Sequence, residues 1–492
     1  MIVSMRVCRL GRLCLSVMSG LLVGLCWVCA GPALADEPME LRESSSSGTC
    51  TQVRIELKAE GLFRPGLSSG ALTAEATMPK PLALDVKTRL VFAERLLGSG
   101  AAPGGPGPGG ARRQSESGSA ARQASREKAV RWVIQAAAAI NGEVRPTASV
   151  LRPGLSLLVA ERAAAGGAVV VVSPAGPMTR SELELVQGLG DPLTLADFLP
   201  REPVAKGAAW KLPESAVVSL TGYDAVQSST MEATLEQLDE AAARVRLKGE
   251  VQGSALGGAG TITCEGFLNF DRQAGLVDRL EVNRVESRQP GPVEAGLDVK
   301  STLTVLRRPA RLVPELGDAA VANLTLDTSP QRQLLQLISP DGKYNLLHDR
   351  QWHTYWDDPK LIVLKRLDKG KVVAQCNLAA GPGAGKGRHQ DLAQFRDDLR
   401  RSLKQRFVQF LGAGEVDGDP AGGFRYKVGV QGREGELGVL WDYYLIASPE
   451  GDQLLATFTL AEEDAAAFGA QDLEIIGSLQ WNSPAAAAKA KP

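Results

Sequence analysis

Histidine is nearly missing from this chain, with three in 492 residues. Aromatic residues make up only 5%. Of seven cysteines, Cys8, Cys14, Cys26 and Cys29 sit near the N-terminus, which leaves Cys50, Cys264 and Cys376 far apart in sequence. Three thiols cannot all pair, so a disulfide framework is excluded and the folded parts must stand on apolar burial. No Cys-x-x-Cys pair occurs beyond the N-terminal segment, which removes the usual thiolate frame for zinc. An excess of charge is missing as well: 55 basic residues face 56 acidic ones. That balance gives no general attraction to nucleic acid or to an anionic membrane. Beyond residue 35, no stretch reaches the ~20 apolar residues that a helical span needs.

What is present begins at the N-terminus. Arg6, Arg9 and Arg12 precede the apolar run "LCLSVMSGLLVGLCWVCA", which is followed by Ala33-Leu34-Ala35 and the acidic Asp36-Glu37. A basic start, an apolar core and a small-x-small site are the features of a signal peptide over 1–35. The apolar run is long for a signal core, so an uncleaved anchor is the alternative. Cleavage predicts an exported chain, periplasmic or extracellular, with no transmembrane span.

The length implies two or three domains. Residues 36–49, "DEPMELRESSSSGT", read as a disordered leader. Residues 98–128 are rich in Gly, Pro and Ser and read as a disordered loop. Arg112, Arg113, Arg122 and Arg126 lie in it, but no aromatic residue is interleaved for base stacking, so a solvated loop is favoured over a nucleic-acid arm. Between and beyond these segments, two-residue alternation dominates. Val53, Ile55, Leu57 and Ala59 oppose Arg54, Glu56, Lys58 and Glu60. Met231, Ala233 and Leu235 oppose Glu232, Thr234 and Glu236, and Ala243, Val245 and Leu247 oppose Arg244, Arg246 and Lys248. This is the period of antiparallel strands with one buried face. Residues 50–309 therefore read as a curved antiparallel sheet domain, with short helices at "SELELVQ" and "LADFL". Residues 310–335 read as a linker and 483–492 as a disordered tail.

The remaining segment, 336–482, mixes strands with a helix read over 391–411. Leu392, Phe395, Leu399, Leu403 and Phe407 recur at three and four. In "VLWDYYLIASPEGDQLLATFTL", Val439, Trp441, Tyr443 and Leu445 share one strand face, and Leu454, Ala456, Phe458 and Leu460 share a face of the return strand. Both are expected under the helix, as core rather than as a ligand site. Three elements occur in order: "LISPDGKYNLLHDRQWHTYWDD", the helix, and the meander "FRYKVGV…VLWDYYLIASPEGDQLLATFTL" ending in "EIIGSLQW". This order resembles PsbP-like and DcrB-like domains of secreted or lumenal proteins. The resemblance implies a smaller α/β/α sandwich with an antiparallel sheet, acting as an interaction module with no catalytic residues to carry over. The expected class is thus α+β. The sheet domain is similar, more distantly, to periplasmic lipid-carrier and lipoprotein folds.

Motif-like stretches fail on inspection. "GPGAGKGR" has Ala380 where a phosphate-binding loop needs its first Gly, and Gly387 in place of the Ser or Thr that holds magnesium. "GLSSG", 66–70, matches the nucleophile elbow only formally, since Pro65 precedes it and no long apolar helix follows. The one polar cluster worth placing is His348, Asp349, Trp352, His353 and Asp357, a surface candidate in which the five-residue spacing of the histidines fits neither one helix face nor one strand face. No metal, cofactor or catalytic set is assigned. The reading is an exported, non-enzymatic binding or envelope-assembly protein with a protein or apolar-ligand partner. The alternatives are a carrier of lipid or another apolar ligand in the curved sheet, and a hydrolase with a hidden site. N-terminal sequencing of the exported protein is expected to return Asp36; Met1 on membrane-bound protein would overturn the signal reading.

Overall fold

The computed structural model describes residues 37–44, 48–65, 80–97, 127–142, 147–162, 167–416 and 423–482, the side chains of 141–149 excepted. The signal segment 1–35, residues 98–126 of the expected loop, the "GLSSG" stretch and the tail 483–492 lie outside the described residues.

Alternation builds the first part. Its strands are β1 Cys50–Arg64, β2 Leu82–Leu97, β3 Glu127–Gly142, β4 Thr147–Val150, β5 Leu157–Arg162, β6 Val169–Val172, β7 Ala209–Lys211, β8 Ala225–Ser229, β9 Glu232–Leu238, β10 Ala242–Ala255, β11 Gly258–Asp271, β12 Leu276–Arg288 and β13 Gly296–Pro309. They form one antiparallel sheet in the order β6-β5-β3-β2-β1-β13-β12-β11-β10-β9-β7, with β4 beside β3 and β8 beside β10. The sheet is open, because its end strands β6 and β7 pair with nothing further among the described residues. Met231, Ala233, Leu235, Ala243, Val245 and Leu247 are buried, while Glu232, Glu236, Arg246 and Lys248 are exposed.

One face of this sheet carries a continuous core, and the chain fills it with its own helices. Helix α1 is Arg180–Val186, a 3-10 turn spans Pro192–Phe198, and α2 is Glu214–Thr221. Leu183, Val186, Leu195, Phe198, Val217 and Leu220 join the strand residues there. Thr179 and Glu182 start α1 with a reciprocal capping box.

Three expectations about irregular segments are corrected here. The leader is not free: Met39 forms an antiparallel bridge with Val204, and Leu41 is buried in the main core. The region 310–335 is not a bare linker. Leu316 packs with Ala93, Val130, Val159 and Val172 on the other face of β2, β3, β5 and β6, and the short helix α3, Asp318–Ala322, follows it. Glu127 and Lys128, placed in the loop, begin β3. In each case a few apolar residues inside a polar stretch find uncovered sheet to bury against.

The second part has two sheets. β14 Leu335–Ile338, β15 Tyr344–His348 and β23 Gln480–Trp481 form a small one. β16 Trp352–Asp358, β17 Leu361–Asp368, β18 Lys371–Ala380, β19 Phe407–Glu415, β20 Phe424–Glu434, β21 Leu437–Ala447 and β22 Gln453–Ala461 form the larger, in the order β16-β17-β18-β22-β21-β20-β19. Helix α4, Leu392–Leu403, covers one face through Phe395, Leu399 and Leu403. On the other face lie α5, Ala465–Phe468, and α6, Gln471–Ser478.

The helix expected over 391–411 is therefore shorter. Lys404 takes a positive φ of 49°, which ends α4, and Phe407 begins edge strand β19. Phe407 and Phe410 still serve the helix, since the Arg400 guanidinium lies 5.0 and 5.3 Å from their ring centres. The expected core splits in two. Trp441, Tyr443 and Leu445 pack beneath α4, but Phe458 points to the opposite face with Tyr444, Trp352 and Phe468. Both faces of β21 and β22 are covered, so alternation alone could not tell which apolar row met the helix.

The two parts meet closely. Gln336 N–H donates to the Met178 carbonyl at 2.8 Å, and Leu335 joins the core of the large sheet. The β10–β11 turn touches the β17–β18 turn through Gly257 and Gly370. Both have positive φ, and a Cβ on Gly257 would lie 2.3 Å from the Gly370 carbonyl oxygen. Glycine is needed at this contact for both reasons. Trp441→Ala is expected to cost about 3–5 kcal/mol through lost burial and a residual cavity, read as a lowered unfolding midpoint in urea. An unmoved midpoint would return these rings to a binding role.

Candidate functional site

The cluster singled out from the sequence comes apart in the fold. Trp352 is fully buried, edge-on to Phe458 and Phe468, and its indole N–H donates to Gln471 Oε1 at 3.3 Å. It is core. Asp349 Oδ1 accepts the Gln351 amide at 2.7 Å as a turn cap, and Asp357 is exposed. His348 is buried at the end of β15, where Nδ1–H donates to the Asp349 carbonyl at 2.7 Å. Burial pushes its pKa down to about 4, and the nearby Arg180 charge adds to this. His353, half-buried, is lowered to about 4 for the same two reasons.

What gathers around these histidines is a seam between the two parts. Arg350 reaches into the first part, donating to the Val171 carbonyl at 2.6 Å, Gln187 Oε1 at 3.0 Å and the Gln333 carbonyl at 3.1 Å. Arg180 of α1 reaches back to the Arg350 and Trp352 carbonyls at 2.5 and 2.8 Å. Burial lowers both guanidinium pKa values, that of Arg350 to about 10. Two cations on neutral acceptors make His348 and His353 poor places for a third charge. The segment holds the seam and presents no reacting pair.

A different site was not read from the sequence. A cleft of about 2010 Å³ opens at the charged end of the large sheet. It lies between the N-terminal segment, the 187–204 stretch and the start of α2, and Arg307 of β13 also lines it. A buried ion network lies behind one of its lining residues, Asp191. Arg131 of β3 donates through both Nη atoms to Asp191, at 2.8 and 2.7 Å, and through Nε to Glu94 of β2 at 2.8 Å. All three side chains are buried. Burial opposes the charge on Arg131, but Asp191 and Glu94 together outweigh it and hold the guanidinium ionised. Burial also raises the Glu94 pKa against the pull of Arg131. Asp191 in turn starts the 3-10 turn, with Oδ1 accepting the Leu193 amide at 3.0 Å. The fork-on-carboxylate pair thus fixes where the cleft wall begins.

The cleft contains carboxylates and hydroxyls, several of them committed, while burial raises the pKa of Glu127 at its edge. Asp197 pairs with Arg162 and accepts from Ser215. Thr194 and Ser219 share a hydrogen bond at 2.6 Å. His389 stacks on Phe424 at 3.8 Å, so all three histidines lie away from this cleft. Cys50, Cys264 and Cys376 are buried and free, and burial raises each thiol pKa. Among the described residues no cluster of metal-ligating side chains is found. The glycine loop 381–388 spends its amides on carbonyls: Gly381, Ala384 and Gly387 donate to Gln453, Gly451 and Pro449 at 2.8, 2.9 and 2.9 Å. It offers no phosphate cradle. A polar residue inside an apolar strand, such as Arg131 in "VRWVIQ" or Glu94 in "VFAERLL", was the available signal for the buried network.

No family model matches the chain, and no curated protein does. Among solved structures, a protein of Bacteroides thetaiotaomicron VPI-5482 is 13% identical, with a TM-score of 0.24 over 31% of this chain and half the length of that one, 50%. OccK2 of Pseudomonas aeruginosa is 10% identical over 85% of this chain and 100% of its own, with a TM-score of 0.12. The outer membrane protein OprD of Pseudomonas aeruginosa is 7% identical over 86% and 96%, with a TM-score of 0.11. Likenesses this slight carry no argument. Among the described residues, no helix is long and apolar enough to cross a membrane.

The seam predicts a pH dependence. An unfolded histidine titrates near ~6.5, and His348 in the fold near 4. Between these values the folded state binds fewer protons than the unfolded one. Its contribution is therefore present above pH ~6.5 and is lost as pH falls toward 4. The drop in unfolding free energy between pH 7 and pH 4.5 is expected to be about 2–3 kcal/mol smaller in His348→Gln than in the parent, measured by urea titration at both pH values.

Proposed function

We propose that this is an exported, non-enzymatic binding protein whose ligand or partner segment occupies the cleft at the charged end of the large sheet. The observation that carries the reading is the character of that cleft. It is large, and several of its side chains are held in place from behind or from within: Asp191 by Arg131, Asp197 by Arg162, and Thr194 by Ser219. Such a site can hold and orient. Among its described residues no acid–base pair stands beside an activated nucleophile, the arrangement a hydrolase would need. The filled face of the sheet moves the expected ligand from the sheet's apolar face, where a lipid carrier would hold it, to its end.

The export half of the reading rests on the basic start, apolar run and Ala33-x-Ala35 site. For the second part, a helix on either face of an antiparallel sheet supports the α/β/α interaction module implied by the likeness to PsbP-like and DcrB-like domains. Its role in this proposal is to brace the first part across the Arg350 seam.

Native mass spectrometry of the chain purified from the exported fraction is the test. The expected result is a mass above that of the polypeptide, from a ligand or partner that leaves under collisional activation. A bare polypeptide mass, together with hydrolytic turnover of ester or peptide substrates, would overturn the reading.

A further inference from the structure

The N-terminal segment that crosses the cleft is held at few points. Met39 and Val204 exchange two backbone hydrogen bonds of 2.9 Å. Leu41 drops its side chain into the main core. Glu43 Oε1 accepts from Arg307 Nη1 at 2.7 Å and from the Val277 amide at 2.8 Å, and the Ser44 amide donates to the Gly275 carbonyl at 2.8 Å. Glu40 and Arg42, between these anchors, are exposed. A segment with so few buried contacts opens at low free-energy cost compared with the sheet beneath it.

Arg307 is the residue this segment leaves half used. Its side chain is 5% exposed, it lines the cleft, and its buried Nε has no hydrogen-bond partner. Only one oxygen of Glu43 reaches the guanidinium, and that oxygen is shared with a backbone amide. A guanidinium fork is built for two oxygens of one anion. Leu189, Leu193, Leu199, Trp210 and Val218 line the same cleft with apolar surface. Leu41 and Glu43, two residues apart in an extended stretch, lie on one side of the segment. Together they are an apolar group followed by a carboxylate.

We propose that residues 38–44 form a removable strap, and that the cleft takes an amphiphile with an anionic head group, whose head replaces the Glu43 carboxylate on Arg307 while its chain replaces Leu41. The proposal rests on the binding reading above and names the ligand class and the element that regulates access. Two head groups share the chemistry, a fatty-acid carboxylate and a phospholipid phosphodiester.

The test uses the full exported chain with three probes: oleate, dioleoyl phosphatidylglycerol in detergent micelles, and inorganic phosphate. Binding is read by native mass spectrometry and strap opening by amide hydrogen exchange at 38–44. One of the two amphiphiles is expected to bind one to one and thereby identifies the head group; inorganic phosphate is expected not to bind. Exchange in the strap should rise at least tenfold on binding. Glu43→Gln removes the competing carboxylate and should tighten the same probe about tenfold, and Arg307→Met should abolish binding. If Arg307→Met does not fold, Glu43→Gln and Leu41→Ala decide, both tightening the probe. Amphiphile binding with strap exchange and Glu43→Gln affinity unchanged overturns the strap. Equal binding of inorganic phosphate overturns the amphiphile. Failure of both amphiphiles on parent and Glu43→Gln overturns the proposal, and a co-purified ligand of other chemistry would then leave the binding reading intact.

Discussion

A single guanidinium, that of Arg131, is clamped between two carboxylates inside an apolar sheet. Taking three charges from water is costly, and only close pairing makes it tolerable. The pairing joins strands β2 and β3 to the stretch that begins at Asp191 and lines the cleft. Removing one partner would leave a buried charge uncompensated, a loss of about 3–5 kcal/mol in comparable cases. The position of the cleft wall is therefore tied to the sheet by charge, while the rest of that face is tied by apolar burial.

The same logic, with different acceptors, governs the seam between the two parts. Arg350 donates to two carbonyls and an amide oxygen, and Arg180 to two carbonyls. Carbonyl acceptors take these hydrogen bonds without neutralising the charge. The positive field that remains adds to burial in keeping His348 and His353 neutral. A cluster that looks reactive in one dimension is thus a set of structural hydrogen bonds in three. Glycine on glycine at Gly257 and Gly370 closes the same seam where two turns meet too tightly for a side chain.

The proposed binding role rests on the contrast between the filled face of the sheet and the cleft at its end. Helices α1 and α2 and the 3-10 turn occupy the apolar face, so a ligand has no room there. At the charged end the chain covers the cleft with its own N-terminal residues, using one leucine and one glutamate.

The sequence alone determined the strands, because a two-residue period needs only local information: Met231, Ala233 and Leu235 alternate with polar residues whatever they pack against. It also determined α1 and most of α4, whose caps at Thr179 and Asp391 act within one turn. The tertiary structure alone decided what the irregular segments do. Leu41 and Leu316 are isolated apolar residues in polar stretches, and nothing local says that a bare sheet face awaits them. It decided which face of β22 holds Phe458, because both faces are covered. It decided the site as well. Glu94, Arg131, Asp191 and Arg307 are far apart in the chain, and each reads singly as one more charged residue. Charge pairing falls off with distance in space and takes no account of distance in sequence, so only the fold could bring them together.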